Sequence, residues 1–103
     1  MRLTAHDIMT VVADTYGLAI AELRGPRKSK HYSHPRMIAM WLAAELLTDK
    51  SLPQLGRCFG RDHTTVMHAQ GRAREIVGHD LEHIAKVNLI IAKLKRVASH
   101  ALA

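Results

Sequence analysis

Apolar residues recur at three- and four-residue steps along most of this chain, and no stretch alternates with period two, so the pattern predicts helices and no strand. Thr4 and Asp7 form a capping pair for a first helix, in which Ile8, Val11, Val12, Thr15 and Tyr16 repeat at helical spacing and Gly17 is the stop. Leu18 to Leu23 allows a short further turn of helix, ended by Gly25-Pro26. Residues 25–35 have almost no apolar content, carry Arg27, Lys28 and Lys30, and read as a basic loop. Pro35 suits the first turn of the next helix, which runs through Met37, Ile38, Met40, Trp41, Leu42, Ala44, Glu45 and Leu46 to about Thr48. That helix is apolar around most of its circumference and is expected to be the central, most buried element.

Ser51-Leu52-Pro53-Gln54 is a second capping signature, with Ser as N-cap, Gln three residues on and Pro in the first turn. Leu55 and Phe59 supply the buried face of a short helix that stops near Gly60. Asp62 caps a further helix from His63 to about Val77, before Gly78. Asp80 opens a last helix to about Ala98, with Leu81, Ile84, Val87, Ile91, Leu94 and Ala98 as its apolar stripe. That stripe can pack on the domain or serve a dimer or partner contact. The expected fold is all-α, a compact bundle of about five to six helices in a single domain over 1–103.

Composition bounds what such a bundle can do. Apolar residues are 48% of the 103, enough for one core, and only four are aromatic, so that core rests on Leu, Ile, Val, Ala and Met. Fifteen Lys and Arg against nine Asp and Glu give +6, with eight histidines besides. A basic domain of this size prefers polyanions, nucleic acid before an acidic protein or an anionic membrane surface. Cys58 is the only cysteine, which excludes an internal disulfide and a Cys-rich zinc site. The N-terminus has no apolar run of the signal-peptide kind, and no segment approaches the roughly 18 apolar residues of a membrane span. A reducing, cytoplasmic setting is expected.

Chemistry concentrates in residues 51–77. Two helices joined by a tight Gly60 turn make a helix-turn-helix, whose second helix lies in the major groove with its first residues at base edges. Here those residues are Asp62, His63, Thr64 and Thr65. A Thr offers a hydroxyl to a base edge and a methyl to thymine, an Asp accepts from a cytosine amino group, and a His donates or accepts. Arg61 and Arg72 bracket the segment and can hold phosphates. The plainer reading is that Asp62, Thr64 and Thr65 only cap a helix. Likewise, Arg27 to Lys30 is either a solvated connector or an arm for the minor groove.

Other signals are weaker. His79 to His83 spells His-x-x-Glu-His, an inverted zinc-protease motif, but Gly78 and Asp80 break the helix that this chemistry needs. His31 and His34 read as solvated loop residues, Cys58 as a buried structural thiol, Trp41 and the methionines as core, and Tyr32 as able to stack on sugar or backbone. No catalytic group, metal site or cofactor is expected, and no small-molecule substrate.

The combination Glu22-Leu23, basic loop, Pro35-Arg36, Ile38-Ala39-Met40-Trp41-Leu42, Ser51 to Gly56 and Phe59 to Ala69, with its Arg61-Asp62-His63-Thr64-Thr65-Val66 run, resembles the C-terminal DNA-binding domain (domain IV) of the bacterial replication initiator DnaA. The likeness covers about residues 4 to 78. It implies a Trp-repressor-like helix-turn-helix that binds double-stranded DNA at A·T-rich DnaA boxes of a replication origin, in the initiation of chromosome replication or its regulation. Matched by motif, Pro53, Asp62, His63 and Thr64 fall on positions that reach major-groove bases. Lys28, with Arg27 beside it, falls where the family places its minor-groove Arg. Ser29, Lys30, Arg36, Leu52, Arg61, Thr65, His68 and Arg72 fall on positions that hold the DNA backbone. The chain departs from the family pattern at Lys28, at Met37 in place of a phosphate-binding Gln, at Ala44 in place of a basic residue, and by one residue inserted near Leu46-Leu47. It also lacks the phosphate-binding loop of the initiator's ATPase module, so the resemblance implies either an excised domain or a stand-alone relative. An alternative role is protein contact with the initiator or its regulators.

Overall fold

A computed structural model describes residues 3–102, so Met1, Arg2 and Ala103, the ends of the expected 1–103 unit, lie outside the described residues. The order is α1 (Ala5–Tyr16), α2 (Ile20–Arg24), α3 (Lys30–Leu46), α4 (Leu52–Phe59), α5 (His63–Gly78) and α6 (Leu81–Leu102). No strand occurs among the described residues. Short-range chemistry sets several of these boundaries. Thr4 Oγ1 accepts from the Asp7 N–H at 3.0 Å while the Asp7 carboxylate accepts from the Thr4 N–H at 2.9 Å, which satisfies two of the free donors at the start of α1. Ser51 and Gln54 form the same reciprocal pair before α4. Gly17 and Gly60 end α1 and α4 in the left-handed region, at φ 68° and 66°, which only glycine occupies without cost.

Helix α3 begins at Lys30 and not at Pro35, so the irregular stretch expected over 25–35 contracts to 25–29. The Ser29 carbonyl accepts from both Tyr32 and Ser33 N–H, at 3.0 and 2.9 Å, and so opens the helix. Pro35 lies inside it. Lys30 to His34 hold no aliphatic residue to mark a face, so hydrophobic periodicity gives no sign of this first turn. From there α3 behaves as expected: Ile38, Ala39, Met40, Leu42 and Ala43 are buried, and the helix packs on α1, α2, α4 and α5. Trp41 is half-buried against the same core.

Helix α6 packs on α1 and α5, so its stripe is turned into the domain. The stripe itself needs correction at two places. Leu81 is 84% exposed, and Ile90, absent from the expected set, is fully buried with Val87 and Leu94. Leu81 and Glu82, just after the break at His79-Asp80, face solvent, while His83 and Ile84 are half-buried and full burial begins at Val87. Lys93 reaches Asp14 and Thr15 on α1, and the Tyr16 hydroxyl meets His83 Nδ1 at 2.7 Å. His79 lies at the end of α5 and His83 within α6, on two sides of a break. Among the described residues no group of three or more His, Cys, Asp or Glu is placed to hold a metal ion. No helix there is long and apolar enough to cross a membrane. Cys58 is a free, half-buried thiol.

Candidate nucleic-acid interface

Helices α4 and α5 meet at a turn that only glycine permits on the α4 side. A Cβ on Gly56 would stand 2.5 Å from the Arg61 carbonyl oxygen and 3.2 Å from the Asp62 carbonyl carbon. The turn is drawn against α4 because the Arg61 N–H donates to the Gly56 carbonyl at 2.8 Å. Val66, Ala69, Ala73 and Ile76 bury one face of α5, which packs on α3 and α4. The opposite face therefore turns Asp62, His63, Thr64, Thr65, Met67, His68 and Arg72 to solvent. Its anchoring is apolar and its outward residues, Met67 apart, are polar, the division that a DNA-reading helix requires.

The first residues of that helix are already joined. Asp62 accepts from the His63 backbone N–H at 2.8 Å and from the Thr64 hydroxyl at 3.2 Å, and its carboxylate lies 3.0 Å from His63 Nδ1. The His63 N–H, and after it the Thr64 hydroxyl, hold the Asp62 carboxyl below the usual carboxylate range. Asp62 is thus an ionised acceptor at neutral pH and caps its own helix, as the plainer reading had it. That does not remove it from the surface, since a carboxylate has more acceptor positions than these contacts fill.

The basic loop is held quite differently. Arg61 donates from Nη1 to the carbonyls of Arg24 and Phe59, at 2.7 and 2.9 Å, and from Nη2 to the Gly25 carbonyl at 2.6 Å. Arg36, buried in α3, donates from Nε to the Leu23 carbonyl at 2.7 Å and from Nη1 to the Arg27 carbonyl at 2.9 Å. Leu23 and Arg24 end α2, where carbonyls lack helical partners, so two guanidiniums satisfy acceptors that the helix leaves open. Arg27 in turn donates to the Tyr32 hydroxyl at 2.8 Å and lies over its ring, 5.0 Å from the centroid. Lys28, Ser29 and Lys30 are exposed beyond it. The loop thereby sits against the turn that starts α5.

Each candidate contact residue can now be placed. Pro53 and Leu52 lie in the first turn of α4, Pro53 exposed and Leu52 half-buried against the core. Thr65, His68 and Arg72 follow Asp62 to Thr64 along α5 and, with Ser33, Met37 and Arg61, line an open cleft of about 640 Å³ between α3 and α5. Arg72 is exposed and pairs with Glu75 at 3.0 Å, a surface contact that leaves it available to an anion. Arg36 borders the same cleft but is only 6% exposed, with Nε and Nη1 on loop carbonyls and Nη2 buried without a hydrogen-bond partner. Tyr32, read as able to stack on sugar or backbone, holds Arg27 in this structure. Arg24, which sequence reading passed over, supplies a carbonyl to Arg61, and no local pattern announces it.

Residues 5–72 match the family described as the bacterial DnaA protein helix-turn-helix. The chain is also similar to full-length relatives. Over 100 residues it is 39% identical to the chromosomal replication initiator protein DnaA of Mycobacteroides abscessus, covering 97% of this chain and 20% of that protein. Over 94 residues it is 39% identical to the protein of the same name from Rickettsia bellii (strain OSU 85-389), covering 90% of this chain and 20% of that one. It therefore spans about a fifth of the length of the curated relatives it matches.

Proposed function

Because the chain belongs to the bacterial DnaA helix-turn-helix family, we propose that it binds double-stranded DNA by sequence, at boxes of the DnaA type, with one grip in each groove. The observation that carries this reading is one of placement: the exposed Asp62-His63-Thr64 start of α5 and the basic loop are hydrogen-bonded to one another through Arg61.

In this reading α5 enters the major groove with its N-terminus, where the helix dipole favours nearby phosphates. Asp62 accepts from a cytosine amino group, Thr64 offers hydroxyl and methyl, and His63 and Pro53 complete the contact with base edges. Arg27 is carried on Tyr32, and Lys28 beside it extends into the minor groove. Lys is a point charge there, where the family places Arg's planar fork, so the minor-groove term is weaker than the family norm. Ser29, Lys30, Leu52, Thr65, His68 and Arg72 hold phosphates and fix register without reading sequence. The chain binds and does not catalyse. It acts at origins, in initiation or its regulation, as a nucleoid-associated cytoplasmic protein.

Anisotropy titrations with box, scrambled and single-stranded DNA at two salt concentrations test this reading. It predicts tighter binding to box duplex than to scrambled duplex at ~0.15 M salt, and a steep loss of affinity for both as salt rises. Equal affinity for the two duplexes would remove the sequence-reading claim. No binding even at low salt would favour contact with the initiator or its regulators instead.

A further inference from the structure

We infer that Arg61, backed by Arg36, is a positioning residue that sets the basic loop at a fixed place relative to the reading helix, and that it does so through loop carbonyls rather than through DNA phosphate. The inference rests on the two-groove reading above and assigns a different role to two residues whose family positions imply backbone contact.

The geometry is specific. Arg61 immediately precedes Asp62, so whatever its guanidinium holds is held at a set distance from the residues that start α5. What it holds is two consecutive carbonyls, Arg24 from Nη1 and Gly25 from Nη2, and Nη1 also returns to Phe59 in its own turn. Both arms of the fork are thus engaged. Arg36 takes the carbonyls on either side, Leu23 and Arg27, from the opposite element. Four carbonyls between 23 and 27 therefore face two guanidiniums, one from α3 and one from the helix-turn-helix. Among the described residues, no aliphatic side chain from 24–31 joins the core, so these polar bonds do the anchoring.

Two further observations describe how these guanidiniums are held. Arg36 is 6% exposed, and although it borders the cleft between α3 and α5, its Nε and Nη1 are taken by loop carbonyls and its Nη2 is buried. The two cations also stand close enough to repel. Burial, and after it the Arg61 charge, lowers the Arg36 pKa, and burial, then the Arg24 charge, lowers that of Arg61. Like charges set together away from water are tolerated when carbonyl oxygens accept hydrogen bonds from the guanidinium N–H groups. The planar fork is the feature that matters, since a lysine ammonium cannot span two consecutive carbonyls with the same geometry.

The test uses the charge-conserving substitution Arg61→Lys in the full chain, with thermal melting to show that it folds. Positioning predicts a loss of about tenfold on box DNA and less than about twofold on scrambled DNA. It also predicts that the loss nearly vanishes in a Lys28→Ala background, because a misplaced loop without its minor-groove cation has little left to lose. If Arg61 worked as a phosphate ligand, Lys would restore most of the affinity, and the Arg61 and Lys28 effects would add. Either result overturns the proposal. A readout without DNA separates this claim from the DNA-binding one: backbone order parameters of residues 27–29 in the free Arg61→Lys protein should fall below those of the wild type. Unchanged order parameters would also overturn it, whereas lowered ones in a chain that failed to read boxes would leave the clamp standing and remove the function assigned to it.

Discussion

The reading helix and the basic loop are both exposed and polar, but they are held in place by opposite means. Helix α5 is positioned by its buried face, Val66, Ala69, Ala73 and Ile76, and by a close approach at Gly56. The loop at 25–29 is positioned by hydrogen bonds from two arginines that reach it from α3 and from the α4–α5 turn. Apolar packing is non-directional and tolerates conservative change, whereas a fork on two carbonyls is directional and tolerates little. Damage to the core under α5 should therefore act on stability first, and damage to the loop's anchors on discrimination first.

The largest effect should come from Gly56→Ala. A Cβ 2.5 Å from the Arg61 carbonyl forces the turn away from α4, at a cost of about 1–3 kcal/mol by thermal or urea unfolding, and both grips shift with the turn. An unchanged melting temperature would mean that the turn can relax and that the comparison overstates its rigidity. Thr64→Ala should leave stability nearly unchanged and cost about 1–3 kcal/mol of preference for box over scrambled DNA, measured by competition. Lys30→Ala should weaken all duplexes alike and lower the slope of log affinity against log salt by about one. The smallest effect concerns pH. Burial, helped by the charges of His83, Arg72 and Lys30, lowers the pKa of His34 below 6.5, so the folded state favours its neutral form. Its contribution to stability is present above the unfolded pKa and is lost as pH falls below 6.5 through the lowered folded value. His34→Gln should accordingly flatten the decline in melting temperature between pH 7 and pH 5, and a decline as steep as in the wild type would contradict this.

The contrast between the two regions also explains what could be read from the sequence. Helix starts at Thr4 and Ser51 and stops at Gly17 and Gly60 were legible because their partners lie within four residues. The exposed Asp62 to Thr65 segment was legible for the same reason, with Gly60 before it and Val66 after it. The start of α3 was not, because Lys30 to His34 hold no aliphatic residue to reveal a helical face, and Pro35 gave a plausible but later start. Nor were the roles of Arg36 and Arg61, whose acceptors are backbone carbonyls up to 37 residues away, and every residue type carries a carbonyl. The resemblance assigns both arginines to the DNA backbone, and nothing in their local sequence points to these carbonyls. In α6 the three- and four-residue spacing includes Leu81, while the structure leaves Leu81 in solvent just after the break and buries Val87, Ile90 and Leu94.

The two-groove grip can be tested most directly on the DNA itself. Replacing A·T pairs with inosine·cytosine pairs keeps the minor groove of an A·T pair, without a 2-amino group, but gives the major groove of a G·C pair. If the loop reads the minor groove and α5 the major, such pairs should be tolerated within about twofold in the half of the box that the loop covers. In the half that α5 covers they should cost about 1–3 kcal/mol each. Equal losses in both halves, or tolerance throughout, would contradict the account.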